Sequence, residues 1–404
     1  MIKFDFETYA NKFVTTEDRN KYNLDQNKVK QILNPKNNMT GWYDLDSLFN
    51  KNLIVDINNT ASFIRQNCDI FLIIGIGGSY LGTKAVIEAL QPYFYNEKTS
   101  PKIYFVGNNL SSDYYHDLIS LIKDKNIIVN VISKSGNTLE TKVAYQLIMD
   151  LMKSKYQDEE LRSRVIITTD KENGSLRVDA HRYRYKSYII PNNVGGRYSV
   201  FTPVGLLPLA VAGLNLNDLY LGAKEANNNI DKQIEYAVTR DIMYNRGKQV
   251  EAFIAYEPKL ESFLEWLKQL YGESLGKDEK GILPVSYINT RDLHSLGQFI
   301  QQGNKILFET VIDVAHSDNT VRVQSYNRAL SELNNIAFIS TSRAHNKANV
   351  LNNIITIERL CEKTIGYLIQ FFMISCAISG YIGGINPFDQ DGVEEYKSIM
   401  ETML

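Results

Sequence analysis

Residues 127–150, IIVNVISKSGNTLETKVAYQLIMD, decide how this chain is built. An apolar, β-branched run reads as a strand, Ser-Lys-Ser-Gly-Asn-Thr as a turn, and the rest as an amphipathic helix beginning near Leu139. A strand that delivers a small, polar, glycine-containing turn into a helix N-terminus aims unpaired backbone N–H groups and the positive end of the helix dipole at one spot. Ser133, Ser135 and Thr138 stand there either as phosphate donors or as helix caps, the role these residue types take in most proteins.

Outward from this stretch the same alternation recurs. Apolar runs at 71–76, 102–107, 164–169 and 187–191 are separated by helical patterns, including one over 113–122. A second set follows, with strands expected at 250–257, 281–288 and 305–314 and helices at 262–273 and 292–303. Continuously apolar strands alternating with helices predict an α/β fold of parallel sheets flanked by helices. Residues 1–68 read as helical, broken at 34–38 and at Thr40-Gly41; 321–357 read as polar and broken; an apolar helix runs to about Tyr381, and 386–397 as a turn entering a final helix.

The turn GIGGSYLG, 75–82, invites two familiar readings and fits neither. A dinucleotide fingerprint needs glycine where Tyr80 stands, and a P-loop needs Lys directly after Gly82, where Thr83 stands. What remains is a glycine turn that lets the backbone approach a ligand closely, with Gly78 and Ser79 at a helix start, suited to a small phosphorylated ligand or simply to tight strand–helix packing. Two such turns in one parallel sheet lie at its carboxyl edge, where open α/β sheets bind ligands. Arg197, after Gly195-Gly196, is either a surface residue or an anion-directed group.

Composition excludes several classes. With 404 residues, 44% hydrophobic and 22% charged, and a formal net charge of −2, the chain is neither disordered nor a general nucleic-acid binder. Its three cysteines, Cys68, Cys361 and Cys376, and five scattered histidines show no metal-ligand spacing, so no metal and no disulfide are expected, as suits a reducing cytoplasm. No secretory leader is expected from MIKFDFETYANKF. The uncharged run 364–388 is long enough to span a membrane, but its Gln, Ser, Asn and glycines read as a buried core helix.

Six patches, GIGGSYLG (75–82), SKSGNTLET (133–141), VGGRYSVFTPVGLLPLA (194–210), GESLGKDEKGILPVS (272–286), DLHSLGQ (292–298) and NPFDQDGVEEYK (386–397), resemble, in order, the glucose-6-phosphate isomerase family in its shorter bacterial form. The resemblance implies two sugar-isomerase (SIS) domains, 69–200 carrying the phosphate turns and 201–357 carrying Glu273 and His294. A helical segment, 1–68, precedes them and another, 358–404 with Lys397, follows. It implies a cofactor-free homodimer with active sites shared between subunits, acting on a phosphosugar. By the same resemblance Glu273 is the base that moves a proton between C1 and C2 through a cis-enediol, and His294, from the neighbouring subunit, assists ring opening. Lys397 contacts the ring oxygen, and Arg197 stabilises the enediolate. Gly78, Ser79, Ser133, Lys134 (through its backbone), Ser135 and Thr138 hold the phosphate, and Gln269 and Gln390 contact substrate. Asn137 and Asp391 depart from the bacterial pattern, which has threonine at the first position and more often an uncharged residue at the second. The alternatives are a phosphosugar isomerase of broader specificity or a non-catalytic phosphosugar-binding regulator.

Overall fold

The computed structural model describes residues 2–10, 12–34, 39–228 and 230–404, so of the break expected at 34–38 all but Asn34 lies outside the described residues. The chain forms two compact units, one of residues 35–217 and one of 1–34 with 218–404. In chain order the strands are β1 (Ile2–Asp5), β2 (Ile70–Ile74), β3 (Lys102–Val106), β4 (Ile127–Ile132), β5 (Val165–Thr169), β6 (Lys186–Ile189), β7 (Val250–Ala255), β8 (Leu283–Ile288), β9 (Leu307–Val314), β10 (Arg322–Val323), β11 (Arg328–Ala329) and β12 (Asn352–Ile357).

In the unit of residues 35–217, five parallel strands run in the order β3-β2-β4-β5-β6. Every residue of β2, β4 and β5 is buried, because helices cover both faces, and this is why these strands read as continuous apolar runs. The strand order reverses between β2 and β4. The turns that leave these two strands therefore open at the switch point of a doubly wound sheet, the usual ligand crevice of such folds.

The other unit has β12-β9-β7-β8 parallel, with β1 added antiparallel at the edge, Ile2 opposite Ile357 and Asp5 opposite Ile354. Its central helix, Glu362–Ile382, is long and apolar enough to cross a membrane, yet 78% of its most apolar stretch is buried. Phe372 on this helix packs against Phe253, Phe263, Tyr236 and Tyr271, so its hydrophobicity serves a core. The helix Leu216–Asn228 crosses it at backbone contact: a Cβ on Gly222 would stand 1.8 Å from the Lys363 oxygen, and one on Gly366 2.1 Å from that of Leu219.

The fold class is the expected one, with two local corrections. The segment read as helical from its start opens with β1, four residues too short to show a period. The segment 321–357, read as broken, contains an 18-residue helix, Leu330–Lys347, and β12. That helix buries only Phe338, Ser342 and His345, so its apolar stripe is too sparse to announce itself; β12 opens with two buried asparagines, Asn352 and Asn353.

Burial also sorts the cysteines. Cys68 is 6% exposed and its thiol is pushed up to about 12, mainly by burial, while Cys376 is fully buried and Cys361 half-buried. A thiol-alkylating reagent at pH 8 is accordingly expected to modify Cys361 in the native protein and all three cysteines after unfolding, read by peptide mass spectrometry. Rapid native labelling of Cys68 would contradict the packing of its helix.

Candidate functional site

The unit of residues 35–217 brings its candidate residues together at one edge. After β2 the chain forms a single 3₁₀ turn, Gly77–Ser79, and then the helix Leu81–Leu90. Gly77 has φ +55°, and a Cβ on Gly78 would stand 2.1 Å from the Gly196 carbonyl carbon and 2.6 Å from the Arg197 nitrogen. Backbone is thus stacked on backbone, and glycine is required. Ser199 Oγ donates to the Gly196 oxygen at 2.7 Å and, at 3.4 Å, to that of Gly78. Arg197, in the 3₁₀ turn Gly196–Tyr198, is 2% exposed, so the surface reading fails. A guanidinium is kept out of water only where groups of complementary charge or polarity meet it.

The turn after β4 is built differently. Ser133 Oγ accepts from the Gly136 N–H at 3.0 Å and Ser135 Oγ from the Asn137 N–H at 3.2 Å, each hydroxyl keeping its own hydrogen to donate. Gly136 has φ +72°, and its oxygen accepts from Ser175 Oγ at 2.9 Å; Thr169 Oγ1 donates to the Ser133 oxygen at 2.7 Å. Thr138 occupies the N-cap of the 17-residue helix Leu139–Lys155 in extended conformation but makes no side-chain cap bond. The capping reading therefore fails for Thr138, and the helix start remains open to an anion. Lys134 sends its amine away from that start, to the oxygens of Asn192 (2.9 Å) and Val194 (3.4 Å), tying this turn to the segment that carries Arg197. Desolvation lowers the pKa of this half-buried amine, against the opposing pull of Asp170.

The unit of 1–34 with 218–404 holds the remaining candidates. Glu273 lies in the last turn of the helix Glu261–Leu275, one turn after Gln269, whose Nε2 donates to Glu273 Oε1 at 3.0 Å. Gln269 Oε1 is buried without a hydrogen-bond partner among the described residues, an acceptor suited to a hydroxyl donor. Because this helix runs back against the parallel strands, Glu273 sits at the amino edge of its sheet, where a Cβ on the adjoining Gly272 would meet Pro284 of β8 at 3.5 Å. His294 is at the other edge. It follows β8 in the first turn of the helix Leu293–Gln302, exposed, beyond the point where Asp292 Oδ2 accepts from the Ile288 N–H at 2.7 Å. One strand length, about 17–20 Å, separates the two ends.

Gln390 is exposed and N-caps the 3₁₀ turn Asp391–Val393, which leads into the helix Glu394–Met403. Lys397 on that helix is 44% exposed and pairs with Glu394 at 2.7 Å. Three residues that build these surroundings escaped the sequence reading: Thr169 and Ser175, which carry no motif, and Lys277, which stands inside a quoted patch. Among the described residues no group of three or more His, Cys, Asp or Glu is placed to hold a metal.

The family model described as phosphoglucose isomerase matches residues 58–341. The glucose-6-phosphate isomerase of Bacillus cereus (strain B4264) is 44% identical over 391 residues, covering 91% of this chain and 87% of the relative. That of Bacillus cytotoxicus is 41% identical over 429 residues, covering 100% and 95%. Among solved structures, a glucose-6-phosphate isomerase from Chlamydia trachomatis superposes with a TM-score of 0.76 at 23% identity, over 87% of this chain and 73% of that one, which bears on the fold. Two glycine-containing turns at the switch point of a parallel sheet, and likeness across nearly the whole length, lead to one conclusion: the chain belongs to the phosphoglucose isomerase family.

Proposed function

We propose that Glu273 carries the proton in the reversible isomerisation of D-glucose 6-phosphate and D-fructose 6-phosphate, the glycolytic and gluconeogenic reaction of this family. The observation that carries this reading is the Gln269–Glu273 pair, a carboxylate steadied by an amide whose own oxygen is buried with no hydrogen-bond partner among the described residues. In this reading the phosphate is held by the turns at Gly78-Ser79 and at Ser133, Lys134, Ser135 and Thr138, with the Lys134 side chain committed to fixing its turn. After ring opening, the Glu273 carboxylate takes the proton from C2 of the open aldose, and the electron pair of the broken C–H bond becomes the C1–C2 double bond. The C1 oxygen, now bearing negative charge, faces Arg197; the proton of the C2 hydroxyl passes to that oxygen, and the same carboxyl group returns its proton to C1, leaving the C2 carbonyl of the ketose. Lys397 and Gln390 contact the ring oxygen and hydroxyls.

Ring opening is assigned to His294 of a neighbouring subunit, in a cytoplasmic homodimer. Support comes from the sheet: within one chain Glu273 and His294 are held at opposite edges, about 17–20 Å apart, too far for one small sugar to bridge. A second copy supplies the missing imidazole without rearranging either unit.

The test is a coupled assay on fructose 6-phosphate, with glucose-6-phosphate dehydrogenase reporting product and mannose 6-phosphate run in parallel, before and after treatment with EDTA. Turnover of fructose 6-phosphate, unchanged by the chelator, is expected, because the charge on the enediolate is met by a guanidinium. Loss restored by a divalent ion would overturn that assignment, and binding without turnover would overturn the enzyme.

A further inference from the structure

The loop that follows Glu273 is more firmly built than a surface loop requires. Asp278 and Glu279 both adopt left-handed conformations (φ +53° and +57°), and Gly281, at φ +117°, leaves no room for a Cβ, which would stand 2.7 Å from the Leu275 oxygen. Lys277 donates its backbone N–H to Leu275 at 3.1 Å and accepts that of Lys280 at 2.9 Å. Its backbone is therefore fixed relative to the helix that carries Glu273 in its last turn.

The Lys277 side chain is 17% exposed and ends on the segment that leads to Gln390 and Lys397. Its ammonium donates to the oxygens of Asn386 and Asp389, the latter at 2.9 Å, and to Asp389 Oδ1. Three N–H donors meet three acceptors, which satisfies the group and leaves no proton for substrate. Asp389 Oδ2 accepts from Asn386 Nδ2 at 2.6 Å, and Asn386 Oδ1 from the Phe388 N–H at 3.1 Å, so the lysine grips a turn already closed on itself. Asn386 and Gln390 are exposed and Gly384 has φ +66°, while Pro387 lies close to Gly380, where a Cβ would meet it at 2.9 Å. Pro387 is buried and Phe388 half-buried, and the polar residues around them hold their geometry through specific bonds.

We propose that Lys277 is a positioning residue: it clamps residues 386–390, and through them Lys397, to the helix end that presents Glu273. The proposal rests on the assignment of Lys397 to the ring oxygen during opening and of Gln390 to the substrate. Releasing the clamp lets the strap shift by an ångström or so, and a misplacement of that size in a reacting group costs about 10²-fold.

Ring opening can be followed without isomerisation by the rate at which the protein accelerates mutarotation of glucose 6-phosphate, measured in the Glu273→Gln background so that no ketose forms. Lys277→Ala is expected to slow this acceleration about tenfold to a hundredfold, with Lys277→Arg restoring part of it, phosphosugar binding little changed and the same melting temperature within a few degrees. Asp389→Asn, which keeps the side chain's size, is expected to act in the same direction and to add little to Lys277→Ala. Should Lys397→Ala slow mutarotation while Lys277→Ala and Asp389→Asn leave it alone, the clamp is wrong and the assignment of Lys397 stands. Should Lys397→Ala itself have no effect, the assignment beneath the proposal fails.

Discussion

Replacing Glu273 by Gln is expected to lower kcat about 10³-fold while leaving the affinity for phosphosugar within a few fold of the starting protein. The amide keeps the shape of the side chain and can still meet Gln269, so what is removed is the capacity to take a proton. The phosphate turns belong to the other unit and are untouched. Steady-state kinetics together with calorimetric titration of a non-isomerising phosphosugar separate the two quantities. Near-normal turnover would show that another group is the base. The same variant reports on sharing between subunits: mixed and reassociated with His294→Ala protein, it is expected to regain about a quarter of normal activity, since half of the dimers are then mixed and one of their two sites is complete. No recovery would place both groups in one subunit.

Gly78→Ala is the second large effect. The added methyl would stand 2.1 Å from the Gly196 carbonyl carbon, and both partners are backbone, so the turns at 77–79 and 196–198 must separate by more than 1 Å to reach ordinary contact. Strain of this kind costs about 1–3 kcal/mol, less than the stability of a typical unit, and the protein is expected to remain folded. Displacing Arg197 by that amount is expected to lower kcat/KM about 10²-fold, since Arg197 is assigned to the charge that develops on the enediolate. A methyl tolerated with full activity would show that this backbone contact does not place Arg197.

How legible all this was depended on period and burial. β2, β4 and β5 were readable because both faces are covered and every residue but Asn130 is apolar or a threonine, and Thr138 at the start of the helix Leu139–Lys155 fell where the sequence placed it. β1 was not, since four residues on a sheet edge owe their conformation to pairing with β12 and to nothing local. Thr138 could not be sorted by residue type, because a cap and an anion donor use the same threonine; the structure adds that the cap bond is missing. Glu273 was visible through its motif alone. The rule that ligands gather at carboxyl edges points away from it, because its helix returns it to the amino edge. Lys277 was overlooked because its partners lie more than a hundred residues onward.

The pairing of β1 with β12 joins Ile2 to Ile357, and between them in the chain lies the whole of the other unit. A ribosome adding about 5–20 residues per second takes roughly 20 to 70 s to cross that interval. Residues 35–217 can close their own sheet in that time, while the first strand of the chain waits with its backbone unpaired. Lys3 and Asp5 put a charge of each sign on that strand, a composition that discourages a waiting strand from pairing with the edge of another molecule. The four residues of β1 are thus made long before the strand that gives them their conformation.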